Sequence, residues 1–245
     1  LSFPYDAFRR QLLARPPRLA VLGNPNSPTG TALDRELLLG LIDDAPTTLF
    51  LIDEVYGSYH GHSVLDPAVR ERLAPNALVL RSFSKDHGLA GLRVGYCVGH
   101  PEIIRAIGVV KPSYTLSAPS LAAAAAALAD QASMWSRVAT RKVLAERLVA
   151  ALELRGVEAR VTRAAFVLVR LGSPIQPWAA AFAERRVLVG TRGHVGPLAR
   201  WVRVTVTAEA HIERFVRVLD AVLAQGIGEH SEVPSDWEES AEGMA

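Results

Sequence analysis

The feature that most limits the fold of this chain is an alternation, between Leu19 and Gly99, of short apolar runs with stretches of helical spacing. Four runs predict β-strands: 19-LAVLG-23, 48-TLFLID-53, 77-ALVLRSF-83 and 94-VGYCVG-99. Strands that are apolar throughout are typical of a mostly parallel sheet covered on both faces. Between the first two runs, 34-DRELLLGLIDDA-45 has apolar residues at helical spacing, with Asp34 as the expected N-cap. The alternation therefore predicts an α/β fold, with a mostly parallel sheet flanked by helices.

The rest of the chain predicts a second, smaller α/β domain. Residues 119–156 are rich in strong helix formers and end at a glycine, which predicts one long helical region. Helices are then expected near residues 177–186 and 208–225, and strands at 157–161, 166–172, 187–190 and 201–206. The expected boundaries are a large domain over 1–140, a small C-terminal domain over 141–228, and a disordered acidic tail over 229–245, which has little apolar surface to bury.

Composition excludes several classes of function. The single cysteine, Cys97, rules out an internal disulfide framework and a multi-cysteine zinc site. A formal net charge of +2, with basic residues spread along the chain, argues against a nucleic-acid surface. No apolar run reaches membrane-spanning length and the first residues lack a signal-peptide pattern, so a cytoplasmic protein is expected. His60 and His62 have no third ligand pattern nearby, so we expect them in an exposed loop and predict no metal site.

Polar residues follow the first two predicted strands, at the ends where open α/β sheets bind ligands. The loop 24-NPNSPTG-30 is a rigid polar turn, either a simple connection or part of a site. Asp53 and Glu54 end the second strand. A P-loop NTPase places a metal-binding carboxylate there, but this chain contains no Gly-Lys pair for the phosphate loop. Asp53 is otherwise an anion suited to pair with a cation such as a protonated ring nitrogen.

The third strand leads into 82-SFSKDHGLAGLRVGY-96. Here Ser82, Ser84 and Arg93 provide two hydroxyl groups and a guanidinium, the donors that a phosphate dianion requires. Lys85 lies between them, either as a solvated loop residue or as a nucleophile toward a carbonyl compound that carries the phosphate. A neighbouring cation and partial burial would favour the neutral, nucleophilic amine of this lysine.

The ordered set NPNSPTG, DEVY, SFSK and GLAGLRVGY resembles the fold-type I aminotransferases that depend on pyridoxal phosphate, most closely their histidinol-phosphate aminotransferase-like branch. The resemblance extends to about Gln225. It implies a homodimer that transfers an amino group between an amino acid and a 2-oxo acid or related carbonyl compound through a Schiff base on Lys85. A decarboxylase of the threonine-phosphate decarboxylase type and a noncatalytic subunit of the same fold remain alternatives.

The same resemblance assigns a role to each candidate site residue. Lys85 would be catalytic, Asp53 would pair with the pyridine nitrogen of the cofactor, and Tyr56 would hydrogen-bond the ring oxygen. Arg203, in 201-WVRVTV-206, would bind the substrate carboxylate through both of its nitrogens. The full set of residues expected to bind the cofactor is Ser27, Asp53, Tyr56, Ser82, Ser84, Lys85 and Arg93.

The sequence departs from the family pattern at three places. One is Gly190, where the branch often has an arginine directly after the strand; Arg192 lies nearby, which leaves recognition of a phosphate-bearing side chain open. Ser27 stands where the family usually has an asparagine beside the ring oxygen; its hydroxyl also donates, but it is shorter. The family also carries a further segment before NPNSPTG, which completes the phosphate site and contributes to the dimer interface. We expect that segment to be truncated from this sequence or to be supplied by another chain.

Overall fold

The computed structural model describes residues 2–68, 70–172, 174–191 and 198–227. The chain forms two compact units, one reaching to Val143 and including Thr162–Phe166, the other consisting of Leu144–Val161 and the chain from Val167 onward. The domain boundaries expected at residues 140 and 228 remain predictions about independently folding parts. The tail expected over 229–245 lies outside the described residues.

The first unit is built on a mixed sheet with the strand order β1-β2-β3-β4. Its strands are β1 (Leu19–Gly23), β2 (Leu49–Asp53), β3 (Ala77–Ser82) and β4 (Gly95–Gly99). β1, β2 and β3 are parallel, and β4 is antiparallel to β3. The helices are α1 (Tyr5–Ala14), α2 (Arg35–Asp44), α3 (Gly57–His60), α4 (Pro101–Val110), α5 (Ala118–Ala129) and the first part of α6 (Gln131–Glu153). The prediction of an α/β fold with a mostly parallel sheet is confirmed.

One face of this sheet carries the core of the first unit. Leu22 of β1 and Phe50 of β2 pack with Leu38 and Ile42 of α2, which are all buried. The side chains of Leu19 and Val21 alternate with the buried ones and are 50% and 61% exposed. The expectation of strands covered on both faces is therefore wrong for β1, because α1 and α2 pack against only one of its faces.

Asp34 precedes α2 but does not cap it through its side chain. Its Oδ1 instead accepts a hydrogen bond from Nη1 of Arg163 at 2.8 Å. That hydrogen bond and the charge of Arg163 hold the pKa of Asp34 below its usual range. Asp34 therefore occupies the predicted N-cap position, but its side chain does not form the capping hydrogen bond, because a partner distant in sequence competes for the carboxylate.

The helical region expected over 119–156 is divided at Asp130 into α5 and α6. The N–H of Asp130 donates to the carbonyl of Ala126, which ends α5. Its Oδ1 accepts the N–H of Ser133 at 3.1 Å, which caps the start of α6. A single aspartate therefore ends one helix and begins the next, and the expected continuous helix is wrong at this residue.

The second unit contains an antiparallel sheet with the order β5-β6-β7. Its elements are β5 (Ala159–Val161), β6 (Val167–Arg170), β7 (Trp201–Val204), α7 (Ile175–Glu184), α8 (Glu209–Leu223) and the last part of α6. Phe182 of α7 and Phe215 of α8 stack in its core, with ring centroids 5.2 Å apart. None of the described helices is both long and apolar enough to cross a membrane.

The strand expected over 187–190 is reduced to a single bridge between Gly190 and Arg203. The N–H of Val187 donates to the carbonyl of Phe182 at 3.0 Å, which completes the end of α7. The preceding residue, Arg186, has a positive φ of 57°. This segment is not a strand because its first residues are used to terminate the helix.

Candidate functional site

The loop after β1 is held by hydrogen bonds from a buried side chain. The amide of Asn24 donates to the carbonyl of Leu33 at 3.2 Å and accepts its N–H at 2.8 Å. Gly30 has φ of +67°, and a Cβ there would lie 2.2 Å from Cβ of Thr162. This position therefore requires glycine. The loop leaves Ser27 as an exposed residue beyond the end of β1.

Asp53 is the last residue of β2. It lies beside Gly23 of β1 and Leu80 of β3 in the sheet register. Its Oδ1 accepts the N–H of Val55 at 2.9 Å, which orients the carboxylate, while Oδ2 retains acceptor capacity. The structure thus places a partly buried anion at the edge where the parallel strands end.

Lys85 and Tyr56 meet at the same edge. The Nζ of Lys85 lies 5.7 Å from the centroid of the Tyr56 ring, over its face, which suits a cation–π contact. Tyr56 is 6% exposed and lies edge-on to Tyr59 and Phe166, with centroid distances of 6.4 and 5.7 Å. The lysine therefore lies against an aromatic surface that is itself fixed by packing.

The three candidate phosphate ligands are close to this lysine in the chain. Ser82 ends β3, and its Oγ accepts the N–H of Ser84 at 3.1 Å. Arg93 precedes β4, has φ of 54°, and donates from Nη1 to the carbonyl of Ala90 at 2.9 Å. Binding of a phosphate by Arg93 would require its guanidinium to share or exchange this local bond.

The predicted residues divide between the two units. Those near the ends of β1, β2, β3 and the start of β4 are Ser27, Asp53, Tyr56, Ser82, Ser84, Lys85 and Arg93. Arg203 belongs to the second unit, on β7, where its backbone exchanges two hydrogen bonds of 2.8 Å with Gly190.

Sequence reasoning missed a buried carboxylate next to the lysine. Asp86 is 5% exposed and accepts hydrogen bonds from the hydroxyl of Ser58 at 2.6 Å and from the N–H of His87 at 2.8 Å. Nδ1 of His87 also lies 2.8 Å from Asp86. The position of an acidic residue directly after Lys85, inside a run of glycines and serines, was the available signal.

An ion pair links the ends of β2 and β3. Glu54 is 1% exposed, and its Oε2 lies 3.0 Å from Nη2 of Arg81. The same carboxylate accepts the hydroxyl of Ser63 at 2.5 Å and the N–H of Val64 at 3.0 Å. Because Glu54 follows Asp53 and Arg81 precedes Ser82, this pair fixes the two strand ends that carry candidate site residues.

Burial affects the tyrosine and the histidine of α3: it raises the pKa of Tyr59 and lowers the pKa of His60. His60 ends α3 and is partly buried, with Nε2 3.1 Å from the carbonyl of Leu33, whereas His62 is exposed. The expectation of an exposed loop is therefore wrong for His60, because α3 holds it against Leu33. Within the described residues, no cluster of three or more histidine, cysteine, aspartate or glutamate side chains could hold a metal ion.

The described residues also form a groove of about 490 Å³ away from these side chains. It is lined by residues such as Leu73, Tyr96 and His100, and it lies toward the start of β3, at the opposite end from Lys85. The groove contains none of the candidate site residues.

Comparison with known proteins identifies the class. The sequence matches the family "Aminotransferase class I and II" over residues 5–219, and the chain belongs to this family. It is 35% identical over 216 residues to the histidinol-phosphate aminotransferase of Gluconacetobacter diazotrophicus, covering 86% of this chain and 59% of that protein. It is 36% identical over 203 residues to the aromatic amino acid aminotransferase of Mycobacteroides abscessus, covering 82% of this chain and 56% of that protein.

A comparison with solved structures finds a similar fold in proteins of the same kind. A structure of histidinol-phosphate aminotransferase from Sinorhizobium meliloti in complex with pyridoxal 5'-phosphate matches with a TM-score of 0.79 and 26% identity, covering 90% of this chain and 61% of that one. The chain thus spans less than two thirds of the length of each of these proteins. The resemblance to pyridoxal-phosphate-dependent aminotransferases of fold type I is confirmed.

Proposed function

We propose that this chain is the lysine-bearing part of a pyridoxal-phosphate-dependent aminotransferase, which moves an amino group between an amino acid and a 2-oxo acid. The observation that carries the proposal is the placement of Lys85 over Tyr56, beside the strand that ends at Asp53, in a chain of the class I and II aminotransferase family. The relatives named above differ in their substrates, so the proposal leaves the side chain of the amino acid open.

The chemistry of the donor set fits pyridoxal phosphate. When bound, this cofactor supplies an aldehyde carbon that reacts with amines and a ring that withdraws electrons from the substrate Cα. The amine of Lys85 would attach to that carbon, and the aldehyde oxygen would leave as water. Asp53 would hold a proton at the ring nitrogen, since a carboxylate at the edge of the sheet favours a cationic partner. The hydroxyls of Tyr56 and Ser27 would hold the ring oxygen. The hydroxyls of Ser82 and Ser84 and the guanidinium of Arg93 would hold the phosphate.

Two residues would act on the substrate. Lys85, once the substrate amine replaces it, would take the proton from Cα as a general base and deliver it as a general acid to the cofactor carbon that carried the aldehyde. Arg203 would bind the substrate carboxylate through a bidentate pair, because its planar guanidinium matches the two oxygens. The proposed role of Arg203 rests on its position in the family motif. The proposed role of Lys85 rests on its motif and also on its contact with Tyr56.

Product analysis tests this function together with the role of Arg203. With pyridoxal phosphate, an amino acid donor and 2-oxoglutarate, we expect the purified protein to form a new 2-oxo acid without releasing carbon dioxide. Arg203→Ala is expected to raise KM for the amino acid by about 10- to 100-fold, as for the loss of a charged hydrogen-bonding partner, with cofactor absorbance unchanged. The control is Arg170→Ala, which removes an exposed arginine of β6 in the same unit.

Each alternative has its own outcome in this experiment. Stoichiometric release of carbon dioxide would establish a decarboxylase, and cofactor binding without either product would indicate a noncatalytic subunit. An unchanged KM in Arg203→Ala would show that another group binds the carboxylate.

We also propose, from the family resemblance, that the whole protein acts in the cytoplasm as a homodimer. Exposed apolar side chains at the end of α4 and just beyond it support an interface: Val109 is 83% exposed and Val110 79% exposed, and Tyr114 is fully exposed. Exposed apolar side chains are common at protein interfaces. A monomeric mass in analytical ultracentrifugation at micromolar concentration would contradict the dimer.

A further inference from the structure

A ring of contacts links the backbone and the amine of Lys85 through two tyrosines and Arg141 of α6. The proposed chemistry does not use Arg141. Nη1 of Arg141 donates to the backbone carbonyl of Lys85 at 3.0 Å and to the hydroxyl of Tyr59 at 2.6 Å. Tyr59 lies edge-on to Tyr56, whose ring lies beneath the Nζ of Lys85. The backbone and the amine of this lysine are therefore tied to the same pair of tyrosines.

The environment strengthens these bonds. Tyr59 is 4% exposed, and hydrogen bonds from a charged donor in a partly desolvated setting are stronger than those at the surface. Burial raises the pKa of Tyr59, although the charge of Arg141 opposes this, so the hydroxyl stays neutral and accepts from the guanidinium. One helical turn earlier, Nε of Arg137 lies 3.4 Å from the carbonyl of Asp86. Two arginines on one face of α6 thus face consecutive carbonyls of the lysine loop.

We propose that Arg141 is a positioning residue for Lys85. By fixing the Lys85 carbonyl, it restricts the backbone from which the side chain extends and keeps the amine over Tyr56. Without this restraint, the amine would sample more positions, and covalent attachment to an aldehyde would cost more conformational entropy. The inference rests on the proposed function in one respect, namely that the aldehyde is that of pyridoxal phosphate.

The test compares Arg141→Met, which keeps the length of the side chain but removes its donors, with Arg141→Lys, which restores a charged donor. Lys142→Met is the matched control, because Lys142 is the next residue of the same helix and is exposed. Two quantities are measured on the purified protein. One is the rate at which bound pyridoxal phosphate becomes fixable by borohydride at saturating cofactor. The other is hydrogen exchange of the loop amides between residues 83 and 92 without cofactor.

We expect Arg141→Met to slow attachment about tenfold, as for the loss of a charge-assisted hydrogen bond, and to speed loop exchange by a similar factor. Total cofactor bound should stay the same, since the phosphate ligands are intact. Arg141→Lys should recover most of the rate, and Lys142→Met should match the unmodified protein. If Arg141 only stabilised the fold, Arg141→Met would lower the total cofactor bound and the attachment rate together.

Equal attachment rates in Arg141→Met and the unmodified protein would overturn the inference. If the unmodified protein itself fails to attach the cofactor, the proposed function fails, and hydrogen exchange alone decides the role of Arg141. In that case, faster loop exchange in Arg141→Met but not in Lys142→Met supports positioning of Lys85, and unchanged exchange overturns it.

Discussion

Replacement of Asp53 by asparagine is expected to lower the rate of proton removal from the substrate Cα by about three orders of magnitude, within the range for preorganised charge stabilisation. Asparagine has the same size and can still accept the N–H of Val55, so the local fold should persist. It carries no negative charge, however, and cannot favour a proton on the ring nitrogen. The measurement is the single-turnover rate of the half-reaction with an amino acid deuterated at Cα.

The matched control for this variant is Asp44→Asn. Asp44 ends α2 and pairs with Arg9 at the surface, at 2.7 Å, so its loss should leave the half-reaction unchanged. Covalent attachment to Lys85 should survive in both variants. A normal half-reaction rate in Asp53→Asn would remove Asp53 as the partner of the ring nitrogen.

Replacement of Glu54 by alanine is expected to lower the free energy of unfolding by about 3–5 kcal/mol, because it leaves the guanidinium of Arg81 without its buried counter-ion. The side chain of Arg81 is only 16% exposed, so water cannot fully replace the carboxylate. The N–H of Val64 and the hydroxyl of Ser63 would lose their acceptor as well. Urea denaturation measures the change through the midpoint at constant m-value.

Glu36→Ala provides the comparison for Glu54→Ala. Glu36 and Arg72 form a surface ion pair at 3.0 Å with side chains 67% and 55% exposed, so Glu36→Ala should change the free energy of unfolding little. If Glu54→Ala were no more destabilising than Glu36→Ala, the ion pair would not be what holds the ends of β2 and β3.

The strands and the lysine loop could be predicted because their signals are local in sequence. An apolar run such as Leu49–Asp53 is a local signal for a strand, and the residues of the loop around Lys85 follow one another directly in the chain. The placement of Lys85 against Tyr56 then follows from two parallel strands that end at one edge of a sheet.

The errors and omissions have the opposite cause, since they depend on contacts between distant residues. The carboxylate of Asp34 binds Arg163, 129 positions away, and does not form the capping hydrogen bond of α2. Arg141 reaches the Lys85 carbonyl across 56 positions, from a helix whose pattern shows no sign of this contact. A carboxylate or guanidinium in a sequence does not indicate which partner the tertiary fold will bring to it.

The central claim is that Lys85 binds pyridoxal phosphate covalently, and the most direct measurement locates the bound cofactor. The chain has three lysines, Lys85, Lys111 and Lys142, so peptide mapping after borohydride reduction distinguishes them fully. We predict an absorbance band that reduction abolishes, a cofactor-sized mass on the peptide that contains Lys85, and neither feature in Lys85→Ala. A label on Lys111 or Lys142 in place of Lys85, or the same band in Lys85→Ala, would contradict the account.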